Sequence, residues 1–111
     1  MTYFVRITPA AETQAETFAQ WWRENRPAAP EAVKQELQRA KDILVETPFV
    51  GSPYRRTRIP GVRRIAMNKT PYHVCYRVNE KLNEVVIMAV WSAMRKRGPP
   101  QSRTPKMAAA A

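Results

Sequence analysis

Between residues 9 and 46 the chain carries two apolar stripes of helical spacing, joined by a very short link. Ala11, Ala15, Phe18 and Trp22 recur at steps of four, three and four, and Val33, Leu37, Ala40 and Leu44 repeat the same steps. Thr8 stands where a helix N-cap is expected, and Pro9 follows at the first helical position, where its missing N–H costs nothing. The first helix should stop near Asn25 and Arg26, because Pro27 and Pro30 bracket the connection, and the second should begin about Pro30 and Glu31. Two striped helices on a four-residue link make an antiparallel hairpin. Neither stripe can be buried by the hairpin alone, so the rest of the chain must supply a third surface.

That surface reads as a sheet. Residues 3–7 form a short strand ahead of the hairpin. After a loop over residues 47–61 punctuated by proline and glycine, residues 62–67, 72–78 and 84–91 follow as strands, with turns at 68–71 and 79–83. In the second of these, Val74, Tyr76 and Val78 share one face, leaving His73, Cys75 and Arg77 on the other, polar one. The third is apolar on both faces, as a central strand is. The order is βααβββ, an α+β fold with a helical hairpin on a mainly antiparallel four-stranded sheet. Residues 1–100 make one domain, and residues 101–111 read as a disordered tail.

Charge and scarce residue types narrow the function. The 111-residue chain has 19 Lys and Arg against nine Asp and Glu, a net charge of +10. Seven of the nine acids precede residue 47, where six bases oppose them; from residue 47 onward 13 bases meet only Glu80 and Glu84. Such polarity points to an anionic partner, either nucleic acid or an acidic protein segment, against the plainer alternative of a solvated basic face. One cysteine and one histidine leave no set for a structural or catalytic zinc, and three glycines leave no nucleotide-binding loop, so neither metal nor cofactor is expected. No apolar run is long enough to span a bilayer, and Met1-Thr2-Tyr3-Phe4 lacks the basic and apolar regions of a signal peptide, so a cytoplasmic protein without membrane contact is expected.

Three blocks resemble a family. Gly61-Val62-Arg63-Arg64-Ile65, then Thr70-Pro71-Tyr72-His73-Val74-Cys75-Tyr76-Arg77-Val78, then Val90-Trp91-Ser92-Ala93-Met94-Arg95 are similar to the RelE/ParE toxins of bacterial toxin–antitoxin systems. Pro48 and Gly51 also resemble the proline and glycine found after the second helix of those toxins. The resemblance spans about residues 3–100 and implies the same βααβββ order, a cognate acidic antitoxin, and operator DNA reached only through that antitoxin.

What the resemblance implies about activity divides in two. RelE-like members cut mRNA on the ribosome without metal, using a general acid and base and cations on the phosphate. Their pattern implies basic residues at Arg64 and Ala66, an arginine at His73, and a basic residue at Ser92 or Ala93. Only Arg64 keeps its cation, with His73 and Arg95 as the remaining candidates for such a site. ParE-like members lack those residues and poison DNA gyrase, and the chain resembles that branch more closely. The expectation is therefore a non-enzymatic gyrase poison. An mRNA endoribonuclease is the alternative, and a basic nucleic-acid-binding protein without toxicity the further one.

Individual residues carry paired readings. Arg95, Lys96 and Arg97, ahead of Gly98-Pro99-Pro100, are candidates for contact with the target, or else a solubilising run. Arg64 and Arg77 are candidates for forked contacts to phosphate or to antitoxin carboxylates, or ordinary exposed cations. Trp91 either joins the core or seats an antitoxin side chain. His73 is expected to be a half-exposed packing residue, and Cys75 to be structural.

Overall fold

The computed structural model describes residues 2–55 and 57–92. The expectations for Arg95, Lys96, Arg97 and residues 101–111 lie outside the described residues. The observed order is β1 (Phe4–Ile7), α1 (Pro9–Asn25), α2 (Ala32–Glu46), β2 (Ser52–Pro53), β3 (Arg63–Ala66), β4 (Tyr72–Asn79) and β5 (Glu84–Ser92).

The hairpin forms for the reasons legible in its residues. The Thr8 hydroxyl accepts from the Ala11 N–H at 3.2 Å, with Pro9 opening α1. Ala11, Ala15, Ala19 and Trp22 bury one side of α1, and Val33, Leu37, Ala40 and Leu44 bury the facing side of α2. Small residues along α1 let the helices approach closely. Phe18 is only half-buried; its ring stacks on Tyr72 of β4, with centroids 4.3 Å apart. Both stripes rest on Val74, Tyr76, Val85, Ile87 and Val90, which form the helix-side face of the sheet.

The sheet has five strands in the order β1-β5-β4-β3-β2, one more than the four expected. The additional strand is β2, paired antiparallel with β3 through Ser52↔Arg64 and Pro53↔Arg63. Two residues have no periodicity to read, and Pro53 cannot donate to a ladder, which confines it to an edge. β3, β4 and β5 form an antiparallel meander, whereas β1 runs parallel to β5 with Phe4 opposite Glu84. The Tyr3 N–H donates to the Val45 carbonyl at 2.9 Å and ties the start of β1 to the end of α2. Between β4 and β5 the register shifts at Cys75/Tyr76, leaving Met88 as the extra residue of a bulge.

The second sheet face corrects an expectation. It is not a polar surface: Tyr54 and residues 57–62 lie over it, and Tyr54, Val62, Cys75 and Ala89 form a second buried cluster, with Ile59 and Met88 against them. Gly61, at φ +77°, supplies the left-handed turn that reverses this segment. The Tyr54 N–H donates to the Val62 carbonyl at 2.8 Å and closes it.

Candidate functional site

The candidate residues of β3 and β4 all map to this second face, but the fold does not bring them together on an open surface. Arg64 lies opposite Cys75, and Ala66 opposite His73. Arg64 is exposed, with its guanidinium over the Tyr54 ring at 5.4 Å. The ring of Tyr54 in turn lies 5.8 Å from that of His73. His73 is therefore 4% exposed instead of half-exposed, and its Nε2 has no hydrogen-bond partner among the described residues. Burial pushes its pKa below the ordinary value, and the positive charge of Arg64 pushes the same way. Covered by Tyr54 and paired with an alanine, the imidazole is not open to an incoming phosphodiester in this conformation.

Cys75 is fully buried, and burial pushes its thiol up to about 12. Such a thiol stays protonated and inert at neutral pH, as expected of a structural cysteine.

The depressed pKa of His73 has a consequence for stability. The unfolded chain takes up a proton near the ordinary value of 6.5, while the folded chain resists it. Below that value the unfolded state holds more protons, so stability is lost as pH falls, by up to about 1.4 kcal/mol per pH unit. His73→Gln should flatten the pH dependence of urea unfolding between pH 7 and 5. A wild-type slope unchanged by the substitution would show that other groups govern it.

Arg77 is exposed farther along β4, where it lines an open trough. The trough measures about 610 Å³ and is lined by Arg6, Arg77, Lys81, Val86 and Met88 among others. Arg6 pairs with Glu84 at 3.2 Å, and Phe4 beside it is 67% exposed. Val86 and Met88 add apolar surface to a lining that mixes these cations with Glu80 and Glu84. Reading the sequence element by element missed Arg6, Val86 and Met88, because the parallel β1–β5 pairing alone makes β1 and β4 near neighbours. Trp91, at the end of β5, is half-buried and meets Phe18 edge-on at 6.2 Å, so it combines core packing with partial exposure.

Among the described residues no group of three or more His, Cys, Asp or Glu is placed to hold a metal ion. No described helix is long and apolar enough to cross a membrane.

Known structures share this architecture. A chain of the chromosomal ParDE system from P. aeruginosa superposes with a TM-score of 0.65 at 19% identity, covering 82% of this chain and 96% of its own. A chain of the RelBE2 toxin–antitoxin complex from Mycobacterium tuberculosis gives 0.55 at 25% identity, covering 83% and 92%. A mutant of the E. coli toxin RelE in complex with a RelBc antitoxin peptide gives 0.58 at 16% identity, covering 96% and 94%. No curated protein matches the chain by sequence. The family described as the ParE toxin of the type II toxin–antitoxin system parDE matches residues 5–97. With its hairpin, its sheet and a match running through almost all of its ordered elements, this chain belongs to the ParE toxin family of type II toxin–antitoxin systems.

Proposed function

We propose that this toxin arrests growth by poisoning DNA gyrase and that an acidic antitoxin neutralises it. The observation that carries the reading is the closure of the β3–β4 face. Where ribonucleolytic relatives need accessible acid–base and cationic groups, Ala66 has no charge and His73 lies beneath Tyr54. Removing such groups eliminates proton transfer to and from the ribose and the leaving oxygen, typically worth 10²–10⁴-fold each, roughly. A protein that acts by binding needs none of them.

The antitoxin reading rests on the trough. An acidic segment with apolar side chains on one side would place them on Val86 and Met88 and its carboxylates near Arg6, Arg77 and Lys81. Arg64, on the same sheet face, and Trp91, at the end of β5, lie outside the trough lining and would extend the contact. Target contact is assigned to Arg95, Lys96 and Arg97, three consecutive cations after β5.

Supercoiling and cleavage assays with purified gyrase test the target. The expected result is accumulation of cleaved DNA in the presence of the toxin. That accumulation should be lost when Arg95, Lys96 and Arg97 are all replaced by alanine, with the melting temperature unchanged. Codon-specific cuts in ribosome-bound mRNA that vanish in His73→Ala, with gyrase unaffected, would replace this reading by an endoribonuclease.

A further inference from the structure

The two faces of the sheet carry opposite charge balances. On one side, α1 and α2 bear six carboxylates against four cations. On the other, residues 47–79 contain seven Lys and Arg and no Asp or Glu at all. Arg55 and Arg58 project from the segment that covers the second face, Arg64 from β3 and Arg77 from β4, and all four are exposed. Arg64 is opposite Cys75, two residues from Arg77, so these two are diagonal neighbours roughly 7–8 Å apart.

None of the four is in an ion pair with a described residue; the ion pairs of the described residues involve Arg6, Arg23 and Lys34. Unpaired like charges gathered on one face raise the energy of the free protein and are relieved by a polyanion. The strip is also short of open aromatic faces. Tyr54 is buried under Arg64, and His73 lies beside Tyr54. Single-stranded nucleic acid is held by stacking bases on such faces, whereas duplex DNA is held by its phosphates.

We propose that the covered face of the sheet is a contact surface for the sugar–phosphate backbone of duplex DNA, made by Arg55, Arg58, Arg64 and Arg77. The contact is to phosphates, which carry no sequence information directly. The surface is separate from the helix layer, whose carboxylates turn that side away from DNA. This goes beyond a gyrase target and does not depend on it, because the surface engages DNA with or without an enzyme bound to it.

Fluorescence anisotropy of the full chain with a labelled mixed-sequence duplex, titrated with salt from about 50 mM upward, tests the proposal. Two variants each remove three cations from the chain of net charge +10: R55Q/R58Q/R64Q on the strip, and K34Q/R39Q/K41Q on α2. The strip variant is expected to bind at least about tenfold more weakly at low salt, with its log–log salt slope flattened by about 3. The α2 variant should stay within about threefold of wild type. If Arg64→Gln unfolds the chain, R55Q/R58Q at exposed loop positions must still flatten the slope by about 2. Equal losses in both triple variants would reduce the effect to bulk charge and overturn the assignment. So would absence of duplex binding at low salt, or binding to single-stranded RNA as tight as to the duplex.

Discussion

Gly51→Ala is expected to destabilise the protein by about 3 kcal/mol, and Gly51→Val to prevent folding altogether. A Cβ at Gly51 would stand 2.6 Å from the Arg64 carbonyl oxygen and 2.6 Å from the Tyr76 hydroxyl. Neither neighbour can retreat. The carbonyl belongs to β3, paired with β2 through Ser52↔Arg64. The hydroxyl ends a fully buried side chain and accepts from the Gly51 N–H at 2.8 Å. Arg63 holds the same residue from outside, donating to the Gly51 carbonyl at 2.6 Å. Pushing Gly51 away therefore breaks the edge of the sheet and leaves buried polar groups unpaired. Tyr76→Phe separates the two contributions: it removes the acceptor without adding volume and should cost about 1–2 kcal/mol. Urea unfolding followed by circular dichroism measures both. A Gly51→Ala variant within about 0.5 kcal/mol of wild type would show that the approach is looser than described.

Glu36→Ala is expected to cost about 2–3 kcal/mol, although Glu36 sits among polar helix residues in the sequence. The residue is 7% exposed, and its Oε1 accepts from the Asn68 N–H and, at 3.4 Å, from the Lys69 N–H. α2 thus clamps the turn between β3 and β4 with a charged acceptor. Removing it leaves donors of that turn without a partner, while Glu36→Gln keeps an acceptor and should lose about half as much. Amide hydrogen exchange gives the local readout: Asn68 and Lys69 should exchange faster in Glu36→Ala while the amides of β5 stay protected. Uniform acceleration across the sheet would place the role of Glu36 in the core instead.

The helices and β4 were legible because each has a period that propensity does not contradict, and β5 because its unbroken apolar run reads as a central strand. Val33, Leu37, Ala40 and Leu44 can form one stripe in only one way, and Val74, Tyr76 and Val78 alternate through β4 onto the helix side. Glu36 was missed although it lies three residues after Val33 and four before Ala40, inside the buried stripe; that position was the available signal. The cover of the second face was not legible. His73, Cys75 and Arg77 alternate like a solvated face, and only long-range packing of Tyr54 and Val62 closes it over Cys75. The same event decides the candidate site, since it buries His73 while leaving Arg64 and Arg77 exposed. Composition located the cations correctly in the second half of the chain, but only topology assigns Arg55, Arg58, Arg64 and Arg77 to one side of it.

The parallel pairing of β1 with β5 sets a timetable for synthesis. Phe4 leaves the ribosome early, but its partner Glu84 follows only after 80 further residues, about 4–16 s later at ordinary elongation rates. Until then β1 has no strand partner, and α1 lacks the β5 surface that buries much of its stripe. Closure of such distant contacts is slow and comes late in folding. The nascent chain consequently passes most of its synthesis without a finished sheet. A message truncated before codon 84 yields a product with both helical stripes and the first strand unsatisfied, destined for proteolysis instead of activity. Translation to the end of β5 is thus a checkpoint written into the topology, because no complete sheet exists before it.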